Sequence, residues 1–258
     1  MPSLTVLDIP EGVERIEYTD LNRNITELNV PSSVEYFDSF NGFYSLEKIT
    51  VAKDNTRYYA EDNILYEKYT GTLILGAKGK TGSVAIPEGV LFIGHNAFGG
   101  TELTEIKLPS SLIKIGDSAL SSWAIKKLFI PPSVVTINYY AVGESTTIYC
   151  VQGSAAYDYA VDNGLEYVLV ALGDANGDGN INVSDIAEIR KLILGGLDFG
   201  EIENLLYDVS GDGEIDARDI VRLKKYVAGL DVPLGTDENS SEEIIAEVAY
   251  LDEKNAVA

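Results

Sequence analysis

Two consecutive segments of the sequence carry the same pattern of apolar residues, proline and small turn residues: VAIPEGVLFIGHNAF at residues 84–98 and LTEIKLPSSLIKIGDSAL at residues 103–120. Apolar residues alternate before each proline, as they do in a β-strand with one buried face, and a second short apolar pair follows. Because proline lacks the amide hydrogen that a strand ladder needs, it marks the end of the first strand. Each segment therefore predicts two short strands joined by a turn.

The same unit recurs along the first two thirds of the chain. Its copies begin at Ile9, Val30, Val51, Ile86, Leu108 and Ile130. Neighbouring copies are 21 or 22 residues apart, except for an interval of 35 residues after Val51. One unit cannot bury its apolar side alone, so the units must stack on one another. The pattern predicts a β-solenoid.

The long interval contains two apolar segments, residues 63–68 and 72–77, on either side of a short turn at residues 69–71. Two apolar segments around a glycine-containing turn are typical of a β-hairpin. We therefore expect a hairpin that protrudes from the solenoid at this position.

Together these features resemble the leucine-rich repeats of the bacterial BspA-like group. Residues 58–79 are similar to an insertion common in that group, and residues 148–170 to its closing strand–helix–strand cap. The resemblance implies a leucine-rich-repeat solenoid over about residues 4–170. It does not imply a ligand, because such repeats are recognition surfaces for many unrelated partners.

Side chains between the buried ladder positions face the other way and form a mostly polar column. This column ends in two aromatic residues, Phe129 and Tyr149. They are candidate anchors for a protein or glycan ligand; the alternative is that they pack against the cap.

Composition excludes several functions. The 258 residues include 41 acidic and 19 basic side chains, a net charge of −22, which argues against binding to nucleic acid. The longest apolar run, residues 167–172, is far shorter than the roughly 20 residues that span a bilayer. The single cysteine, Cys150, and the single histidine, His95, exclude an internal disulfide and a cysteine-based zinc site. Both residues lie in contexts that predict a structural role, so no Ser/His/Asp or Cys/His catalytic set is expected. We expect no enzyme activity, although paired carboxylates for glycoside hydrolysis stay open.

The acidic residues are concentrated in the last third, since residues 172–258 hold 20 acidic and 7 basic side chains. A composition shift of this kind indicates a domain boundary. We predict three parts: the solenoid with its cap at residues 1–171, a second domain at residues 172–235, and an acidic extension at residues 236–258.

The second domain contains the segment DANGDGNINVSD, residues 174–185. Calcium prefers six to eight oxygen ligands, and alternating residues of a tightly turning loop can direct their oxygens at one point; Gly179 permits the turn. Plain turns are the alternative, since Asp, Asn and Gly also favour them. The predicted ligands are Asp174, Asn176, Asp178, the carbonyl of Asn180, Asn182 and Asp185.

A second segment, DVSGDGEIDARD at residues 208–219, repeats this pattern. Two tandem matches favour metal binding over chance. Serine carries no charge, so the second site should bind calcium more weakly; Gly213 takes the place of the turn glycine. The predicted ligands are Asp208, Ser210, Asp212, the carbonyl of Glu214, Asp216 and Asp219.

Each loop precedes a segment with apolar residues at helical spacing that ends at glycine, residues 185–196 and 219–229. No helix is expected before the first loop. Two loop–helix units of this kind resemble the type I dockerin, over about residues 173–234. The resemblance implies an α-helical domain with two calcium ions and a cohesin domain of a scaffoldin as partner. The overall expectation is an α+β chain.

By the same resemblance, cohesin contacts fall just before the last aspartate of each loop and along the helix that follows. They are Val183, Ser184, Arg190, Lys191, Ala217, Arg218, Lys224 and Lys225. The alternative is a solvated helix face. The two units could allow two binding orientations, but Val183 and Ser184 differ from Ala217 and Arg218, so we expect one orientation to dominate.

The sequence as a whole predicts a secreted, non-catalytic component of a cellulosome-like complex. The first residues lack the basic and apolar regions of a signal peptide, so secretion is expected from the resemblance alone. The alternatives are a cell-surface adhesin anchored through an envelope cohesin, a carbohydrate-active enzyme, and a calcium buffer or sensor.

Overall fold

The computed structural model describes residues 4–16, 24–37, 43–176, 178–195, 206–212 and 214–235. The predicted acidic extension at residues 236–258 and the turn glycine Gly213 lie outside these residues. The helices are α1 (Ala155–Asn163), α2 (Val183–Gly195) and α3 (Ala217–Val227). The strands are β1 (Val6–Asp8), β2 (Arg15–Ile16), β3 (Glu27–Val30), β4 (Tyr36–Phe37), β5 (Lys48–Val51), β6 (Tyr58–Glu61), β7 (Ile64–Glu67), β8 (Thr72–Gly76), β9 (Thr81–Ala85), β10 (Phe92–Ile93), β11 (Glu102–Lys107), β12 (Lys114–Ile115), β13 (Lys127–Phe129), β14 (Thr136–Ile137), β15 (Thr147–Cys150) and β16 (Tyr167–Leu169).

The first strand of each repeat stacks in parallel on the first strand of the next. The pairings are β1–β3–β5, β9–β11 and β13–β15–β16. Asp8 lies opposite Asn29, and Asn29 opposite Thr50, so equivalent repeat positions are neighbours. The Asn29 Nδ2 donates a 2.5 Å hydrogen bond to Asp8 Oδ1, which makes the outward column a polar ladder at this end. The predicted solenoid is confirmed.

The second strands of the later repeats form a separate sheet in the order β14–β12–β10–β8–β7–β6, and β2 pairs with β4 in a two-stranded sheet. The predicted hairpin is present as the antiparallel pair β7 and β8. The expectation that it protrudes is wrong, because β8 pairs in parallel with β10 and joins the second sheet. Ile64, Leu65 and Tyr66 are buried in succession, so this segment needs cover on both of its faces.

A buried lysine joins the hairpin to the following repeat. Lys78 is 8% exposed, and its Nζ donates hydrogen bonds to the carbonyls of Asn96 and Gly99. Burial disfavours the charged ammonium and lowers the pKa of Lys78 to about 8.

The cap closes the C-terminal end of the solenoid as predicted. Ser154 caps α1 by accepting a hydrogen bond from the Tyr157 amide, and β16 then pairs with β15. Cys150 is buried next to this cap, and its burial raises the pKa of the thiol.

Helices α2 and α3 form a small second core after the cap. Its buried members are Ile186, Ile189, Val209 and Leu223. Ile186 and Ile189 lie one turn apart on α2, the spacing that the sequence pattern predicts. The α+β architecture of solenoid and small helical region is confirmed. No helix among the described residues is long and apolar enough to cross a membrane.

The helical region packs directly on a turn of the solenoid. A Cβ atom on Gly235 would lie 2.4 Å from Leu172 Cδ1 and 3.0 Å from Pro132 Cγ. Gly235 also has φ +75° and donates a hydrogen bond to the Val209 carbonyl. The end of the helical region can therefore lie this close to the solenoid because the residue has no side chain.

Candidate metal loops and partner-binding helix faces

The first predicted calcium loop is wrapped by its own polar side chains. Asp174 Oδ1 accepts a 3.1 Å hydrogen bond from the Asp178 amide, and Asp174 Oδ2 accepts a 2.9 Å bond from the Gly179 amide. Asn176 Oδ1 also accepts from the Asp178 amide, at 2.9 Å. Gly179 has φ +83°, the left-handed conformation expected of the turn glycine. Two predicted ligands, Asp174 and Asn176, thus direct their oxygens into the same turn.

Asp185 links this loop to helix α2. Its side chain is 0% exposed; Oδ1 accepts from the Asn176 amide at 3.1 Å and Oδ2 from the Asn182 amide at 2.7 Å. Asn182 Oδ1 in turn accepts from the Ser184 amide at 2.9 Å. The exchange between Asn182 and Asp185 has the form of a capping box at the start of α2. Loop conformation and helix start are therefore coupled through two predicted ligands.

The second loop repeats the arrangement. Asp219 is also 0% exposed and accepts from the Ser210 amide at 2.9 Å and the Asp216 amide at 2.7 Å. Asp216 is the N-cap of α3. Burial raises the pKa of Asp219, since its charged form is removed from water. Asp208 Oδ1 accepts from the amides of Gly211 and Asp212; the bond from Asp212 is equivalent to the one from Asp178 to Asp174 in the first loop.

The two loops differ at the residue before their last aspartate, Asp185 or Asp219. In the second loop Arg218 pairs with Asp212 at 2.5 Å and with Asp216 at 2.8 Å. Its donated hydrogen bonds hold the pKa of Asp216 below the ordinary value. The first loop has the neutral Ser184 at the equivalent position. Arg218 was predicted to contact cohesin, but the structure places its guanidinium on two predicted ligands of its own loop.

The remaining predicted loop residues differ in their exposure. Asn180 and Glu214 are exposed, and each donates its amide to the aspartate two residues before it, Asp178 or Asp212. The Asn180 amide is the main reason that the pKa of Asp178 is lowered. Ser210 is buried, and its Oγ lies 3.3 Å from Asp208 Oδ1.

The donor chemistry of both loops fits a hard divalent cation. Carboxylates, amides and one hydroxyl supply only oxygen ligands, which is the set that calcium prefers. Within the described residues no three Asp, Glu, His or Cys side chains form a ready cation site, because the carboxylates are directed at backbone amides and Arg218. A carboxylate oxygen has two lone-pair sites and can accept an amide and bind a cation together. The two buried carboxylates, Asp185 and Asp219, both accept backbone amides of their own loops.

All eight predicted cohesin contacts lie at exposed positions. Val183 at the start of α2 is 68% exposed, although it is apolar. Lys191 forms an exposed ion pair with Glu188 at 2.6 Å, which contributes little to stability. The buried side of α2 carries Ile186 and Ile189, so the predicted contacts face away from the core.

Sequence reasoning missed two apolar residues on these same faces. Leu194 of α2 is 82% exposed and follows Arg190 by four residues. Val221 of α3 is exposed and follows Ala217 by four residues. Residues four apart lie on one helix face. A spacing of four residues from Arg190 and from Ala217 is therefore the sequence signal that could have identified these two residues.

The two aromatic candidates of the solenoid are only partly accessible. Phe129 and Tyr149 are half-buried neighbours on β13 and β15. Phe129 also lines a cleft between solenoid and helical region with Leu172, Asp208 and Gly235. Its ring therefore faces the junction as well as solvent.

Comparison with protein families assigns both regions. The BspA type leucine rich repeat region matches residues 1–67 and 77–155 in six copies, and the dockerin type I domain matches residues 172–228. The chain belongs to the family of proteins with BspA-type leucine-rich repeats, and it carries a type I dockerin domain.

Three solved structures are similar to parts of the chain. A leucine-rich repeat protein from Eubacterium ventriosum has a TM-score of 0.49 and 23% identity, over 56% of this chain and 41% of that one. A leucine rich cell surface protein from Faecalibacterium prausnitzii has a TM-score of 0.43 and 21% identity, over 62% of this chain and 52% of that one. The pneumococcal vaccine antigen PcpA has a TM-score of 0.36 and 14% identity, over 62% of this chain and 60% of that one. This chain thus covers less than two thirds of each, and the comparison with curated proteins found no match.

The family assignment carries general functional consequences. A type I dockerin domain implies a cohesin partner and a role in a cellulosome-type assembly, and domains of this type bind calcium. Dockerin and leucine-rich-repeat families are in general non-catalytic. Their combination suggests an extracellular or cell-surface protein.

Proposed function

We propose that this chain is a non-catalytic, secreted component of a cellulosome-type assembly with three parts. Residues 1–171 display a recognition surface, residues 172–235 bind a scaffoldin cohesin in a calcium-dependent way, and residues 236–258 form an acidic extension. The observation that carries the proposal is the exposed apolar and basic face of α2, which begins at a loop whose buried carboxylate also caps that helix.

Two calcium ions are proposed, one in each loop. The first would be held by Asp174, Asn176, Asp178, Asn180, Asn182 and Asp185, and the second by Asp208, Ser210, Asp212, Glu214, Asp216 and Asp219. A bound ion neutralises carboxylates that otherwise repel each other. Because Asp185 and Asp219 accept amides from their loops and from their helix starts, ion binding and helix placement are linked.

The face of α2 is proposed as the main cohesin contact. It presents Val183, Arg190, Lys191 and Leu194 without a competing contact to the metal loop, whereas the equivalent face of α3 begins with Ala217 and the loop-bound Arg218. Exposed apolar residues at the centre of an interface contribute most of its binding energy, and basic residues around them steer association. One binding orientation should therefore dominate.

The solenoid is proposed to recognise a separate ligand through its outward ladder. Phe129 and Tyr149 remain the predicted anchors for a protein or glycan, supported by their neighbouring positions in the strand register. Because Phe129 lines the cleft at the dockerin junction, a ligand there would contact both domains.

Calorimetric titration of the full chain against a panel of cohesins, in calcium and in EDTA, tests the proposal. We expect binding to at least one cohesin in calcium and none in EDTA. The variant Leu194→Asp should weaken binding at least about tenfold, which corresponds to about 1.4 kcal/mol. Val221→Asp on the equivalent side of α3 is the matched control and should have a much smaller effect.

Equal binding with and without calcium would contradict calcium dependence. Equal losses from the paired variants Arg190→Ala/Lys191→Ala and Lys224→Ala/Lys225→Ala would contradict the preference for α2. Absence of binding to every cohesin in calcium, with the helical region folded, would overturn the proposed partner.

A further inference from the structure

The turn that follows the first strand of a repeat begins with proline and continues with a polar residue that contacts the neighbouring repeat. Ser32 Oγ donates a 2.6 Å hydrogen bond to Glu11 Oε1, and Ser110 Oγ donates a 3.1 Å bond to Glu88 Oε2. The last repeat has Pro132 at the equivalent position. Because the side chain of proline has no polar group, this series of polar contacts ends at the last turn.

Apolar contacts with the dockerin domain take the place of the polar contacts at the last turn. Leu172, which follows β16, is 5% exposed. A Cβ atom on Gly235 would lie 2.4 Å from Leu172 Cδ1 and 3.0 Å from Pro132 Cγ. Both side chains therefore pack on the backbone of Gly235. These three residues, Pro132, Leu172 and Gly235, form a joint between the last solenoid turn and the end of the dockerin domain.

The joint is connected to the second metal loop. The Gly235 amide donates a 2.9 Å hydrogen bond to the carbonyl of Val209, which lies between the proposed ligands Asp208 and Ser210. Asp208 also lines the cleft beside Pro132, whereas no described residue of the first loop lines it. The position of the second loop and the position of the solenoid thus depend on the same contacts.

Two features determine how far the domains can move. The linker between β16 and the first loop is short, residues 170–173, and this limits the orientations that the domains can adopt. Three residues make a small apolar joint, however, and domains that share a small interface move relative to one another by default. Closure of the joint therefore needs a further source of stability, which the second loop can supply.

We infer that the joint is an interdomain docking site whose closure is coupled to calcium binding by the second loop. The inference rests on the proposed calcium sites. Ordering of Asp208 and Ser210 around an ion fixes the Val209 carbonyl between them, and this carbonyl holds Gly235 against the solenoid. Coupling between two sites is reciprocal, so the closed joint raises the calcium affinity of the second loop. A cohesin-bound dockerin domain then holds the solenoid in one direction.

Small-angle X-ray scattering of the full chain in saturating calcium tests the docking site. Gly235→Ala places a methyl group against Leu172. Pro132→Ser introduces the residue that the preceding repeat has at position 110, so the solenoid turn should stay intact. Each variant should open the joint and increase the radius of gyration relative to the wild type.

Gly229→Ala is the matched control for the glycine variant. Gly229 has φ +77° and Gly235 has φ +75°, so both substitutions strain the backbone equally. A Cβ atom on Gly229 meets nothing within 4 Å. The control should therefore have the radius of gyration of the wild type. An unchanged radius in both Gly235→Ala and Pro132→Ser would overturn the docking site.

Calcium titration by calorimetry tests the coupling. The affinity of the second loop should fall at least about fivefold in Gly235→Ala relative to Gly229→Ala. An increased radius of gyration with unchanged calcium affinity would overturn the coupling, and absence of calcium binding to the wild type would overturn it together with the proposed sites. All three variants should bind cohesin in saturating calcium, so failure of the joint is distinct from failure of the dockerin proposal.

Discussion

The solenoid and the dockerin domain satisfy their buried polar groups in different ways. In the solenoid, backbone amides of one repeat bond the carbonyls of the next; the Leu120 amide, for example, donates to the Ala141 carbonyl at 2.7 Å. In the dockerin domain, the side chains of Asp185 and Asp219 accept backbone amides of both loops. The solenoid arrangement can be extended by adding repeats, whereas the dockerin arrangement buries negatively charged side chains.

The apolar cores of the two regions also differ, in their size. One continuous apolar cluster runs through the solenoid from the hairpin to the cap. In the dockerin domain four buried apolar residues form the centre of the core. A core of that size stabilises a domain marginally, and a metal is a common supplement. From this difference we expect the solenoid to be stable by itself and the dockerin domain to depend on calcium.

The largest effect is expected from removing the buried carboxylates. Asp185→Ala or Asp219→Ala removes the acceptor of two partly or fully buried hydrogen bonds, at about 1–3 kcal/mol each, and removes a predicted calcium ligand. Each variant should lower the unfolding free energy of the dockerin domain by about 2–6 kcal/mol. Urea unfolding in calcium, with domain-resolved detection, measures this. As the matched control, Leu128→Ala should destabilise the solenoid by about 2–5 kcal/mol. A shift of the solenoid transition in the aspartate variants would contradict the separation.

The second largest effect is expected in the pH dependence of the unfolding free energy of the solenoid. The pKa of Lys78 is about 8 in the folded protein and 10.5 when unperturbed. Between these values the unfolded chain binds more protons, so the unfolding free energy of the solenoid rises with pH, by up to about 1.4 kcal/mol per unit.

Denaturation from about pH 7.5 to 9.5 measures this rise. At higher pH, buried tyrosines such as Tyr58 and Tyr159, whose pKa values are raised, act in the opposite direction. Lys78→Met should remove most of the dependence. A wild-type profile that is flat over this range would refute the role of burial.

The smallest effect concerns the difference between the two loops. Arg218→Ala removes a positive charge from Asp212 and Asp216, so the second loop should bind calcium a few fold more tightly, about 1 kcal/mol or less. Calcium titration by calorimetry measures both sites, and Ser184→Ala in the first loop is the control. Weaker binding by the Arg218 variant would show instead that the guanidinium organises the loop.

The repeat pattern predicts most of the fold because each position faces the same position of its neighbour; the pairing of Asp8 with Asn29 follows from the spacing alone. The sequence predicts the hairpin at the correct place in the chain, but it does not predict that the hairpin joins the second sheet. Its strand pattern does not say which sheet edge is available. The residues of each proposed metal loop are close in sequence, so the spacing predicts which of them share a turn.

Contacts between distant or alternative partners were not predictable in this way. The sequence pattern does not indicate that Arg218 pairs with Asp212 and Asp216 of its own loop, and its predicted cohesin contact stays a prediction. The exposure of Leu194 depends on how α2 rotates over its small core.

Hydrogen exchange of the full chain, measured by segment in calcium and in EDTA, tests the central claim most directly. Chelation should abolish protection across residues 173–230 and leave protection of the repeat strands from residue 27 to residue 150 unchanged. Equal protection of the dockerin helices in both conditions, or loss of protection across both domains together, would contradict the account.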